Sequence, residues 1–482
     1  MPPLSRRQVL MAVPAALCSF GLARNQNNPP AGTRPNIVFI LADDLGWADV
    51  GCNGARFYHT PNIDRLATQG IRFTHAYAAA AVCSPTRASI MTGRYPARLG
   101  LTDWIVARFQ RPERPDPAVN PAGYVTVPGR KLSCPENPFW MELDEVTIAE
   151  TLRAAGYVTC HIGKWHLGSD NWYPEKQGFV INIGGCDYGQ PPSYFDPYVN
   201  QRQRGRGGIY NLPPRKPGEY LTDREADEAV KFIGEHKDRP FFLHLAHYAV
   251  HTPLEAKEEV TKQYDAWRME GRFRPVYAAM MESLDQAVGR VLSALDEAGL
   301  SENTLVVFTS DNGGRLGSTS NAPLRSGKGY PYEGGIREPL VLRWPGVIQA
   351  GTTSAAPVCS IDFFPTFCAA TGTPLPSDRA IDGISLLDHL RLVEAAPLRR
   401  PALYWHFPHY RNPDIVPFSV IRAGYWKLIK RYEGKKFELF HLEDDPYEQY
   451  DLSEQAPDKV RELNQQLEEW LQAVGARLPK EI

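Results

Sequence analysis

Cys83-Ser84-Pro85-Thr86-Arg87 runs into ASIMTGRYP, a stretch that reads as the opening of an amphipathic helix, which puts Cys83 at a helix N-terminus; its plainer reading is a buried Cys before a Pro-bent turn. Two acidic pairs stand far from it and from each other. Asp43-Asp44 follow the apolar run NIVFILA, and Asp311-Asn312 follow the run Leu305–Thr309. Four oxygen-bearing side chains brought together suit a hard divalent cation, Ca2+ or Mg2+, rather than zinc. Basic residues obey the same rule. Lys164 and His166 (GKWHLG) come just after Tyr157–Ile162, and His251 (HYAVHTPLEA) comes after Phe241–Ala246. Lys328 lies in RSGKGYPYEGGIREP, a Gly-rich loop that lets an ammonium approach an anion. Taken singly, each has a plainer reading. An acidic pair after a strand can be a helix cap or an Asx turn, and Asp-Asn-Gly is a turn sequence. A lone His or Lys on a loop is commonly solvated surface, His244 and His247 included. Their shared place at the ends of apolar runs is what argues for chemistry.

Those runs are the elements that must position them. Asn36–Ala42 is continuously apolar, as a strand buried on both faces requires. A helix is expected at Asn62–Gln69, between Pro61 and Gly70, and a longer one from Pro275 to Gly299, with Val276, Met280, Leu284, Val288, Val291, Leu292 and Leu295 on one stripe. Short apolar runs alternating with helices, Leu340–Leu342 among them, predict an α/β unit: a large, mostly parallel sheet sandwiched by helices. Ligands of such sheets bind beyond the carboxyl ends of the strands. After residue 372 the pattern changes. Leu403–Phe407, Ser419–Lys430 and Phe437–Leu442 read as antiparallel strands, and Ala456–Leu478 as a helix. A smaller C-terminal α+β unit over 373–482, built on an antiparallel sheet, is therefore expected beside a catalytic unit over 31–372.

The chain has 482 residues and a formal net charge of −2, which argues against a global attraction to nucleic acid or anionic membrane. Residues 1–30 are set apart: Arg6-Arg7 precede a short apolar run, Met11–Ala23, that reads as a twin-arginine export signal and is too short to span a bilayer. An exported location, periplasmic or secreted, delivered by the twin-arginine machinery and without a stable membrane anchor, is the expectation. Cys52, Cys134, Cys160, Cys186, Cys359 and Cys368 form no C-x-x-C pair and give no support to a structural zinc site.

Read in order, DDLGWADVGCNG, TPNIDRLA, CSPTRASIMTGRYP, GKWHLG, HTP, SDNGG and GKGYPYEGGIREP resemble the type I, formylglycine-dependent sulfatases of the alkaline phosphatase superfamily, bacterial glycan sulfatases in particular. The resemblance covers roughly residues 35–372, and AGYWKLI with FELFHLEDDPYEQYDL resembles the family's smaller domain. Trp47-Ala48 depart from the commoner Tyr-Gly beside the metal aspartates. The resemblance implies that Cys83 is converted to formylglycine (3-oxoalanine) by a maturation enzyme. It implies that Asp43, Asp44, Asp311, Asn312 and modified Cys83 hold the cation, with Ca2+ favoured and Mg2+ an alternative. Arg87 and Lys164 would flank the hydrated aldehyde. Lys328 and His251 would bind the sulfate, His251 protonating the leaving oxygen, and His166 would deprotonate the second hydroxyl.

A sulfated carbohydrate is the expected substrate. Two segments favour it: the Pro- and Arg-rich insertion Asp103–Pro138, and Tyr404–Asp414, which is expected to bring His406, His409, Tyr410 and Arg411 toward the pocket rim. Two rival readings stand beside this one: a phosphodiesterase or phosphonate monoester hydrolase of the same superfamily, and an exported glycan-binding protein in which Cys83 is never converted.

Overall fold

The computed structural model describes residues 34–110, 117–200, 207–265, 274–393, 395–411 and 414–482. The export segment expected at 1–30 lies outside the described residues. Among these, nine strands make one sheet. Its order is Thr352–Ser354, Ile71–Tyr77, Arg337–Arg343, Thr304–Ser310, Asn36–Ala42, Phe241–Ala246, Val158–Gly163 and Ile181–Ile183, with Val358–Cys359 also paired to Ile71–Tyr77. All the pairings are parallel except those of Arg337–Arg343, which runs against both its neighbours.

Alternation along the central strand explains its unbroken apolar sequence. Val38, Ile40 and Ala42 point into one buried cluster, and Ile37, Phe39 and Leu41 into the other. The first cluster is closed by the helices Pro61–Thr68, Leu221–Glu235 and Pro275–Glu297. The second is closed by Cys83–Thr92, Ile148–Ala154, Phe363–Thr371 and Leu387–Arg391. Each fully buried Leu or Phe in these layers contributes about 1.5–3 kcal/mol by leaving water. Helices on both faces leave the strand ends as the place where loops converge.

A second, antiparallel sheet of four strands, Leu403–Phe407, Phe418–Ala423, Trp426–Arg431 and Lys436–His441, is covered by the helix Pro457–Ala473. The expected strand Ser419–Lys430 is thus a hairpin, because Gly424 takes a left-handed φ of 59° and turns the chain. The last helix ends earlier than its apolar spacing predicts, ahead of Gly475 at φ 66°. Among the described residues no helix is long and apolar enough to cross a membrane.

Candidate active site

Every group in the site leaves the same edge of the large sheet. Asp43 and Asp44 follow Asn36–Ala42, Asp311 and Asn312 follow Thr304–Ser310, Lys164 and His166 follow Val158–Gly163, and His251 follows Phe241–Ala246. Cys83 opens its helix after Ile71–Tyr77. Lys328 reaches this edge by the opposite route. Because Arg337–Arg343 is the reversed strand, the loop that precedes it lies where the others' following loops lie.

The charges interlock. Lys164 Nζ donates to Asp43 Oδ2 at 2.7 Å, and both side chains are fully buried. Arg87 donates through Nε to Asp311 Oδ2 at 2.9 Å and through Nη1 to the Lys164 carbonyl at 2.8 Å. Asn312 Nδ2 donates to Asp44 Oδ1 at 2.8 Å, and the Asp44 amide to Asp311 Oδ1 at 3.3 Å. Lys328 Nζ donates to Asp44 Oδ1 and lies 3.2 Å from Cys83 Sγ. Asp44 and His166 hold left-handed φ values of 59° and 63°, conformations that non-glycine residues adopt at a cost and that concentrate at functional sites.

Three buried oxygens of the site accept no hydrogen bond among the described residues: Asp43 Oδ1, Asp44 Oδ2 and Asn312 Oδ1. Leaving them so costs about 1–3 kcal/mol each, more for a charged group. A ligand atom from each of Asp43, Asp44, Cys83 and His251 lies within 4.8 Å of the others. A hard cation would satisfy the oxygens at once, so the residues present fit one. Burial, reinforced by Asp311 and Asp44 and opposed by Lys164, pushes Asp43 up to about 8. Burial also pushes Asp44 upward, but His251 and Lys328 outweigh it and hold Asp44 below the usual carboxylate range. Burial raises the Cys83 thiol, although Lys164 and Lys328 pull the other way.

The two histidines differ in which nitrogen is free. His166 Nε2 donates to the Ile105 carbonyl at 2.8 Å, which leaves Nδ1 a buried lone pair with no hydrogen-bond partner. Burial, then Lys164, holds its pKa well down, so the ring is neutral and able to take a proton. His251 Nδ1 donates to the Thr252 carbonyl at 2.8 Å and its Nε2 faces Asp44 Oδ2 at 3.4 Å. Its Nε2 therefore carries a proton only as the imidazolium. Burial lowers it to about 3, with Asp44 acting in the opposite sense.

A cavity of about 210 Å³ opens over Cys83 and is also lined by His166, His251, Lys328, Arg411 and residues unremarked in the sequence: Trp104, Gln110, Gly189, Gln190, Thr252 and Arg315. Trp104 and Gln110 come from the insertion after the nucleophile helix, which is where a rim was expected. Gly189 had no signal at all. A Cβ there would sit 2.6 Å from the His166 ring, so only glycine leaves that ring its place. Three expected rim residues are corrected: Tyr410 does not line the cavity, and its ring lies under the Arg130 guanidinium at 4.8 Å. His406 is buried, bonding Ser419 Oγ at 2.7 Å and the Arg477 carbonyl at 3.1 Å. His409 is buried against Thr102 Oγ1 at 2.7 Å. Both point into packing because their neighbours supply the hydrogen bonds that a buried imidazole needs.

Acids at the strand ends, a lysine beside a buried thiol and a cysteine that opens a helix form one polar centre at the edge of an α/β sheet, and the comparisons give its class, a sulfatase of the alkaline phosphatase superfamily. A family model described as Sulfatase matches residues 35–373, and one described as N-sulphoglucosamine sulphohydrolase, C-terminal, matches 327–477. A sulfatase of Formosa agariphila is 33% identical over 93% of this chain and 91% of its own length. The N-acetylgalactosamine-6-sulfatase of Mus musculus is 36% identical over 87% of this chain and 82% of its own. The solved structure of Ps i-CgsB in complex with k-i-k-neocarrahexaose superposes with a TM-score of 0.76 at 31% identity, covering 91% of this chain and 93% of that one. The chain belongs to the sulfatase family and is a sulfuric ester hydrolase.

Proposed function

We propose that this sulfatase releases sulfate from a sulfated carbohydrate, using formylglycine made from Cys83 and a divalent cation, Ca2+. The observation that carries the reading is the meeting of Cys83 Sγ, Lys328 Nζ at 3.2 Å and the three oxygens without hydrogen bonds. Carbohydrate is favoured because relatives of this chain are named as N-acetylgalactosamine-6-sulfatases and a similar solved structure holds a neocarrahexaose.

Asp43, Asp44, Asp311 and Asn312 would hold the cation, which supplies Lewis acidity to ionise the attacking hydroxyl and to neutralise sulfate oxygens. The hydrated aldehyde offers two hydroxyls on one carbon, one to attack sulfur and one whose deprotonation lets sulfate depart by elimination. Charge balance supports this assignment. With every group ionised, three carboxylates, Asp43, Asp44 and Asp311, face three fixed cations, Arg87, Lys164 and Lys328, a balance that a bound cation would favour by drawing the proton from Asp43. A divalent ion leaves a surplus of two positive charges, which a monoanionic sulfate ester and an ionised nucleophile cancel.

Lys328 binds a sulfate oxygen and fixes the ester for in-line attack. His251 protonates the departing alcohol oxygen, armed as the imidazolium by the negative charge that the ester brings. His166 Nδ1 removes the proton from the second hydroxyl. Arg87 and Lys164 hold the carboxylates and stabilise the ionised hydroxyl. We read the chain as an export segment (1–30), a catalytic unit (31–372) and a smaller unit (373–482), matured by a formylglycine-generating enzyme and exported through the twin-arginine machinery.

The test is sulfate release from sulfated mono- and oligosaccharides by protein co-produced with the maturation enzyme, beside sulfate and phosphate esters of one alcohol. Faster cleavage of the phosphate ester would move the chain to the phosphohydrolase side of the superfamily. Mass spectrometry of the Cys83 peptide supplies the other arm. Conversion removes about 18 Da, and its absence in catalytically competent protein would refute the formylglycine route.

A further inference from the structure

The cavity wall carries more positive charge than one sulfate ester uses. Among the described residues its lining includes Lys328, Arg315 and Arg411 and no carboxylate. Two of the three cations are already engaged. Lys328 is held by Asp44 and lies 3.2 Å from Cys83 Sγ, deep in the site. Arg411 Nη1 donates to Asp103 Oδ1 at 3.3 Å, and both side chains are mostly buried. Arg315 differs. It is exposed at the cavity, and among the described residues its guanidinium makes no ion pair or hydrogen bond.

Its backbone is nevertheless fixed. The Arg315 carbonyl accepts from Ser318 N at 2.9 Å and Thr319 N at 3.2 Å, and Thr319 Oγ1 is itself anchored to Asp49 Oδ1 at 2.8 Å. This tight turn begins three residues beyond Asn312, so the backbone of Arg315 is fixed beside the site while its exposed guanidinium stays free to turn toward a ligand. Trp104 supplies an aromatic wall to the same cavity, its ring 6.4 Å from that of His166. A volume of about 210 Å³ falls below the range of about 300–1,000 Å³ usual for drug-sized ligands, and suits one sugar ring with its substituents.

We propose that the mouth of this cavity is a subsite for a second anionic group, a sulfate or a carboxylate, on the same sugar that carries the scissile sulfate. Arg315 is its principal ligand, Arg411 a weaker one, and Trp104 the surface on which the ring rests. The proposal rests on the sulfated-carbohydrate reading above and narrows it to multiply anionic saccharides. A planar guanidinium free of a protein carboxylate pays little to accept a bidentate oxyanion. Arg411 must first share with Asp103.

The experiment compares kcat/KM for a monosulfated monosaccharide, its disulfated counterpart and a sulfated uronic acid, with wild-type enzyme and Arg315→Gln. The wild type is expected to prefer one or both doubly anionic sugars by about tenfold or more, a factor worth about 1.4 kcal/mol. Which of the two is preferred identifies the second group. Arg315→Gln is expected to bring that preference close to unity through KM, and Arg411→Gln to reduce it less. Equal rates on singly and doubly anionic sugars in the wild type, or a preference untouched in Arg315→Gln, overturns the subsite. Were no sugar hydrolysed, the carbohydrate reading would fail on its own, and the subsite is then decided by calorimetry. Cys83→Ala protein should bind a disulfated monosaccharide about tenfold more tightly than Cys83→Ala with Arg315→Gln. Equal affinities, or no binding by either, also overturn it.

Discussion

Charge is buried in two places in this molecule. At the strand ends, Asp43, Asp44, Arg87, Lys164 and Asp311 interlock yet leave three oxygens with no hydrogen bond. Where the antiparallel sheet meets the loop after Lys328, fully buried Lys427 pairs with Glu333 at 2.9 Å and Glu448 at 2.7 Å. There each carboxylate oxygen has an ammonium or a donor within 2.9 Å, Glu448 Oε1 through the Lys427 ion pair and not a hydrogen bond: Tyr77 donates to Glu333 Oε2 at 2.8 Å, and the Glu333 amide to Glu448 Oε2 at 2.6 Å. Burial pushes Glu333 upward, but Lys427 and Arg337 outweigh it and bring it down to about 2. Both regions contain buried, paired charges of similar number. Burial and pairing therefore do not distinguish a site from a structural joint. Acceptors standing off from their paired cations do, as Asp43 Oδ1 at 3.8 Å and Asp44 Oδ2 at 3.4 Å show.

That contrast can be broken experimentally, most sharply at its catalytic end. Cys83→Ala should lower turnover by at least about 10⁴-fold while Tm moves little, as removal of a nucleophile does elsewhere. Residual activity near the wild-type level would remove Cys83 from the chemistry. Chelation of divalent ions should abolish sulfate release, with activity returning on addition of Ca2+. Because each carboxylate of the cage keeps a cationic partner without the ion, the circular dichroism of the chelated protein should stay native. Unfolding on chelation would mean that the strand-end cluster is as structural as the other.

His166→Ala should cut turnover by about 10²–10⁴-fold. It should also show a burst of alcohol without matching sulfate, since the lone pair that releases sulfate is gone. A loss with alcohol and sulfate still in step would reassign that histidine. At the closed joint the expectation reverses. Lys427→Met leaves buried Glu448 without its cation and Glu333 with Arg337 at 3.6 Å, and should cost about 3–5 kcal/mol of stability, with kcat/KM of the folded enzyme changed only a few-fold. A large fall in kcat/KM at unchanged Tm would erase the distinction between the two clusters.

The smallest effect concerns a residue misassigned to the rim. Burial lowers His406 from 6.5 to about 4. The folded protein therefore binds that proton more weakly than the unfolded chain does. Its contribution is intact above pH 6.5 and is lost as pH falls toward 4, at about 1.4 kcal/mol per pH unit. Denaturation curves across that window should flatten in His406→Gln. An unchanged slope would place His406 in contact with solvent after all.

The large sheet was legible because a strand buried on both faces has to be apolar throughout, as Asn36–Ala42 is. The polar residues that end such strands could be seen to share an edge. The reversal of Arg337–Arg343 was not legible. An apolar run carries no record of its direction, and direction is settled by which neighbours it pairs with. The same limit explains the rim. His406, His409 and Arg411 lie within six residues of one another, yet only the last lines the cavity. Strand alternation and a chance partner, Ser419 or Thr102, decide which way each side chain goes.

What the amino-acid order determined by itself was local: which runs become strands, which residues terminate them, and the short motifs that identify a sulfatase. What the tertiary structure alone decided was which of those termini meet. Lys328 joins Cys83 across 245 positions, and Asn312 joins Asp44 across 268. Gly189 makes room for His166, while the Arg315 guanidinium lines the cavity with no partner among the described residues. The physical reason is that hydrophobic periodicity acts over a few residues. Hydrogen bonds and charge pairs form between whatever groups the packed layers bring within about 3 Å.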